Sequence, residues 1–178
     1  MTSFWWAAGV LLLAGCSAPL KPAAFSQSGT PFDPLAFFTG HVTSWGVEEN
    51  RSGQPIAIVT TDCLGTRTGP DSLRMVQVLH VGDAAPQTRI WQLARSGAAT
   101  YSATADDMAG STTGTVAGRA FHWRWVLEPS PGNALKNVTM DQWMYRMNDG
   151  AVIVRTNISK VGIRLLQVSE QFEHAPSG

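Results

Sequence analysis

The sequence predicts an all-β domain: an antiparallel up-and-down barrel of about nine or ten strands, entered through a short N-terminal helical turn. Three observations lead there. From Thr39 onward, short apolar-rich segments are separated by turn residues at close intervals. Helical periodicity is almost absent from those segments. One of them, Phe121–Leu127, alternates cleanly: Phe121, Trp123, Trp125 and Leu127 fall on one face and His122, Arg124 and Val126 on the other. Such a period of two marks a sheet with one buried side. A two-sheet sandwich is the alternative architecture.

The elements follow in order. Phe4 to Ala14 is apolar and uncharged, and at about eleven residues it falls short of the roughly 20 that a spanning helix needs. It reads as the hydrophobic region of an export signal. Leu13-Ala14-Gly15-Cys16 resembles the lipobox of bacterial lipoproteins. That resemblance implies cleavage after residue 15 and lipidation of Cys16, with an ordinary signal or an apolar helix as the alternative. Ser17 in place of Asp implies the outer membrane, facing the periplasm, rather than retention at the inner membrane. Residues 16–31, rich in Ala, Pro, Ser and Gly, form the expected lipidated tether, and residues 32–174 the barrel domain.

Asp33 is the expected N-cap of the helical turn at Phe32-Asp33-Pro34-Leu35-Ala36-Phe37-Phe38, with Pro34 at the first helical position. Its apolar residues are expected to plug one barrel end. Strands are then expected at His41–Glu49, Pro55–Gly65, Leu73–Val81, Gln87–Arg95, Thr100–Ala105, Thr112–Ala117, Arg119–Glu128, Val138–Met147 and Ala151–Ser159. Between them lie turn signals such as Gly69-Pro70-Asp71, Pro129 to Asn133 and Asn148-Asp149-Gly150. Gly162–Phe172 fits a helix or a strand, and strand is preferred.

Composition narrows the function. Lys plus Arg and Asp plus Glu number 13 each, and no basic stripe appears, so nucleic-acid binding is not expected. His41, His80, His122 and His174 lack metal-site spacing. Gly69-Pro70-Asp71-Ser72 lacks the nucleophile elbow. Glu48-Glu49 and Asp106-Asp107 are adjacent pairs, which in strands point to opposite faces. No catalytic residue, metal or cofactor is therefore expected. With Cys16 lipidated, Cys63 has no partner and is expected to be buried and inert.

Phe32-Asp33-Pro34, Phe37-Phe38-x-Gly40, Gly46, Arg51-Ser52-Gly53, the run Arg119 to Trp125, Asp141 to Tyr145, and Arg155 to Gly162 together resemble domain-of-unknown-function family 3833, a family of Gram-negative lipoproteins. The resemblance spans the mature domain and implies a lipocalin-like barrel with no assigned activity and a link to lipids.

Candidate ligand-binding residues come from the strand faces. Asp141, Trp143 and Tyr145 share one face, and Arg155 and Asn157 share the matching face of the next strand. If that face points inward, Asp141 and Arg155 form a polar anchor in an apolar cup. A structural network fixing strand register is the alternative. Trp123 and Trp125 complete the candidate set, Lys160 is expected at a rim, and Met75, Met140 and Met144 offer an adaptable wall. The expected function is a lipid-anchored periplasmic protein that binds a small hydrophobic ligand such as an acyl chain. The alternatives are a module docking on an envelope complex and a lipid-modifying enzyme.

Overall fold

Ten strands follow one short helix in the computed structural model, which describes residues 30–128 and 137–176. The expected export signal, Cys16, nearly all of the tether and the Pro129–Asn133 turn lie outside the described residues. The helix α1 spans Pro34–Phe37. The strands are β1 Gly40–Asn50, β2 Pro55–Gly69, β3 Ser72–Val81, β4 Gln87–Arg95, β5 Thr100–Ala105, β6 Thr112–Ala117, β7 Ala120–Leu127, β8 Val138–Arg146, β9 Val152–Lys160 and β10 Ile163–His174. Each pairs antiparallel with its sequence neighbours, and β1 pairs with β10 from Val42↔His174 to Asn50↔Leu166. The barrel is closed, as the sequence predicts, and closure leaves no strand edge unpaired.

Alternation decides what faces the interior. On β7, Phe121, Trp123, Trp125 and Leu127 are buried while Arg124 and Val126 are exposed. On β9, Val152, Val154, Thr156 and Ile158 are buried, and Arg155 between them is exposed. The ambiguous final segment is a strand because β9 and β1 supply partners on both of its sides. A helix there would leave both ladders open to water. β2 runs four residues past the expected Gly65, since Thr66, Arg67 and Gly69 find partners in Arg74, Leu73 and Ser72.

The chain enters at the end that α1 closes. The Asp33 carboxylate accepts from the backbone N–H of Leu35 at 3.0 Å and of Ala36 at 3.4 Å. It also accepts from Arg95 Nη2 at 3.0 Å and from the Tyr101 hydroxyl at 3.3 Å, which ties the helix to the barrel wall. Phe32, Phe37, Phe38, Phe121 and Phe172 pack ring against ring, with centroids 5.0–6.2 Å apart. Asp33→Ala is expected to lower stability by about 1–2 kcal/mol, chiefly through the lost cap. The partly solvated Arg95 pair contributes little. Urea unfolding checks this, and an unchanged midpoint would contradict it.

Candidate functional site

Eight strands give a barrel that side chains can just fill. Ten give a wider one, and here the phenylalanine plug fills only the end near α1. Above it remains a cavity of about 240 Å³. A single buried water needs only about 10–15 Å³ of such space, so the interior holds more than ordered solvent requires. Toward the opposite end it is bordered by Glu48, Val81, Ala84, Gln87 and Leu166.

Its wall is built from inward positions of every long strand. Trp91 of β4 and Trp123 of β7 stack at 5.0 Å with planes 13° apart, and Trp125 meets Trp91 edge-on at 5.2 Å. Met75, Met140 and Met144 line the same space. The polar groups there are mostly paired. Trp91 Nε1 donates to Gln77 Oε1 at 2.8 Å, and Trp123 Nε1 donates to Gln142 Oε1 at 2.5 Å. Gln142 in turn donates to Thr156 Oγ1 at 3.0 Å. The Trp125 indole N–H has no hydrogen-bond partner among the described residues.

Among the described lining residues, Arg89 is the one cation. Its guanidinium is bidentate to Asp107, Nε to Oδ1 at 2.7 Å and Nη2 to Oδ2 at 2.8 Å. It also lies 4.8 Å from the Trp125 ring centroid and 5.6 Å from that of Trp91. The pair is neutral overall, and the aromatic faces favour the guanidinium where water is excluded.

Glu170 of β10 is only 8% exposed. Ser44 Oγ and Thr61 Oγ1 donate to its Oε1 at 2.7 and 2.9 Å. Burial pushes its carboxyl above the ordinary 4.5, against the downward pull of those two hydrogen bonds. The folded chain thus holds this proton more tightly than the unfolded chain. Its contribution to stability is complete below about pH 4.5 and is lost as pH rises through the raised folded value. Glu170→Gln keeps an oxygen for both hydroxyls and removes the titration. It is expected to flatten the fall of the thermal midpoint as pH rises above about 4.5. Part of the slope remains because burial also raises Glu48. Identical slopes in variant and wild type would contradict this.

Cys63 also lines the cavity and is buried, with its thiol free. Burial, and then the nearby Glu170 and Asp62 carboxylates, push it up to about 12. At neutral pH the thiol is therefore held protonated, and the thiolate is the form that reacts.

The structure places Trp123 and Trp125 on the cavity wall. It corrects the direction expected of Asp141, Trp143, Tyr145, Arg155 and Asn157. Met140, Gln142 and Met144 take the inward positions of β8, so the residues between them stand on the outer face. Arg155 is exposed and lies opposite Trp143 in the β8–β9 register. Asp141 contacts His122 at 3.1 Å and Arg124 at 3.5 Å, both on β7. Trp143 is nonetheless buried, because His122 stacks on it at 4.2 Å and Tyr145 lies parallel to it at 6.1 Å. Lys160 ends β9 at the rim opposite α1.

Of the five tryptophans of the mature domain, Trp91 joins Trp123 and Trp125 on the wall, whereas Arg89, Gln77, Gln142 and Glu170 were not singled out from sequence. The signal for the β8 parity was present on β9, where Val152, Val154, Thr156 and Ile158 oppose Arg155 and Asn157. The apolar set belongs inside, and antiparallel register then turns Trp143 outward with Arg155.

The S-type phycobiliprotein lyase CPES from Guillardia theta has a similar solved structure, with a TM-score of 0.59 and 11% identity over 79% of this chain and 89% of that one. At that identity the likeness concerns the fold, a lipocalin-like barrel. No curated protein matches the chain. The sequence pattern of the family described as "Protein of unknown function (DUF3833)" matches residues 10–174, through every strand of the barrel, and the chain belongs to that family.

Proposed function

We propose that the barrel takes up one small, uncharged apolar molecule, such as an acyl chain or a neutral lipid fragment, and holds it without turnover. The cavity of about 240 Å³, walled by stacked indoles and methionines, carries this reading. Its electrostatics favour a neutral ligand. Arg89 is already neutralised by Asp107, and burial raises both Glu48 and Glu170. Among the described residues that line the cavity, no second cation is present to meet an anionic headgroup inside it. The similar solved barrel is by name a phycobiliprotein lyase. For this chain we propose binding alone, because the cavity's one thiol stays protonated. We further propose that Cys16 is lipidated and tethers the barrel to the outer membrane on its periplasmic side, which the residues before and after Cys16 support.

Titration with the neutral fluorophore N-phenylnaphthylamine tests the binding reading. Saturable uptake is expected, with quenching of tryptophan emission as Trp91, Trp123 and Trp125 transfer energy to the probe. Linear partitioning without saturation would overturn it.

A further inference from the structure

The turn joining β9 to β10 holds Val161 at 94% exposure. Its φ is +50°, and that of Gly162 is +78°. Two positive values in succession make the tight turn that suits a hairpin, but a β-branched residue rarely enters this region because its Cβ crowds the backbone. The chain keeps an apolar side chain in water and in a strained conformation at its outermost point. Ile163, at 51%, lies just beyond it, and Ile56, at 51%, and Ile58, at 66%, stand near the same end of β2.

Cations surround this apolar corner. Lys160 and Arg164 flank the turn, and Arg51 sits on the β1–β2 turn beside it, all exposed. Arg164 Nη2 donates to the Arg51 carbonyl at 3.3 Å, which joins the two turns. Of the nearby acids, Glu48 borders the cavity and Glu49 accepts from Gln167 at 3.3 Å. The remaining acids of this end, Asp83, Asp106, Asp107 and Glu128, lie on the connections of β3–β4, β5–β6 and β7.

We propose that this corner of the barrel mouth seats on the surface of an anionic lipid bilayer, with Val161 and Ile163 in the interfacial layer and Arg51, Lys160 and Arg164 against the phosphates. Charge complementarity selects this occupant: an apolar tip ringed by cations fits an anionic interface. The cavity lining reaches the same end at Glu48, Val81, Ala84 and Leu166, so an apolar molecule entering there from the bilayer would cross little water. The inference goes beyond ligand binding and stands whether or not the cavity takes a ligand.

An orientation measurement on the full chain tests it. Cys16→Ser removes the acylated thiol, and Cys63 is buried and does not label. A nitrobenzoxadiazole dye is attached at Ile163→Cys or, at the α1 end, at the exposed Ala98→Cys. With vesicles of phosphatidylglycerol in phosphatidylcholine, emission at position 163 is expected to shift to the blue and rise roughly twofold or more. Position 98 should not respond, and pure phosphatidylcholine should give little. Added Val161→Asp should abolish the response without lowering the thermal midpoint, since Asp enters the positive-φ region more readily than Val. Equal responses at 163 and 98, none at 163, or one that Val161→Asp leaves intact would overturn the proposal. So would a chain dimer that Val161→Asp dissociates without any vesicle signal. Failure of the N-phenylnaphthylamine titration would leave this result untouched.

Discussion

Gly65→Ala is expected to cost about 3 kcal/mol or more, the largest effect of any single added methyl in the barrel. A Cβ at residue 65 would stand 1.7 Å from the Phe38 carbonyl oxygen and 2.8 Å from its carbon. Both are backbone atoms of the segment that follows α1, so no side-chain rotation relieves the clash. Either the plug lifts off β2 or the strand bends away from its partners at Gly40 and Met75. Gly69 on the same strand is the control. There a Cβ meets only the Ser72 hydroxyl at 2.9 Å, which can rotate, and Gly69→Ala should cost under about 1 kcal/mol. Urea midpoints for the two variants check the contrast. Equal midpoints would mean that the Phe38 carbonyl is not seated against β2.

Met140→Trp is expected to lower affinity for N-phenylnaphthylamine more than tenfold, equivalent to about 1.4 kcal/mol per decade. Met140 lies opposite Trp125 in the β7–β8 register and lines the cavity. It is only half-buried, so an indole there intrudes on the free volume without overfilling the packed plug. The expected loss of stability is under about 1.5 kcal/mol. Trp143→Phe, three residues along β8, changes the outer face and should leave probe affinity unchanged. A titration of both variants separates an interior site from an outer one, and a larger loss in Trp143→Phe than in Met140→Trp would reverse the assignment.

The barrel was legible because its signals are local. Turn residues bound nearly every strand, and Phe121–Leu127 shows its buried face without reference to any neighbour. Asp33 and Pro34 mark the helix start by cap chemistry alone. The α1 plug followed from the same run, since Phe32, Leu35, Phe37 and Phe38 cannot all be left in water. The site was less legible because its residues are brought together by register. Val138–Arg146 carries large side chains on both faces, so its own pattern does not say which faces inward; the clearer alternation of β9 does. Nothing in Gln87–Arg95 sets Arg89 apart from other strand cations; the β4–β5 register brings Asp107 to it, and the curvature of the barrel brings the Trp125 ring. Glu170 likewise sits 126 residues from Ser44 and 109 from Thr61, the two hydroxyls that hold it. The exposed Val161 was passed over because a Val-Gly turn gives no sign that its valine is left in solvent.

Native mass spectrometry of the chain purified from its own membranes in mild detergent tests the central claim most directly. The protein is expected to carry one neutral apolar molecule of defined mass, released on gentle activation and missing from Met140→Trp. A ligand-free mass for the wild type, together with no saturable uptake of the neutral probe, would contradict a binding cavity and leave the barrel interior as empty space.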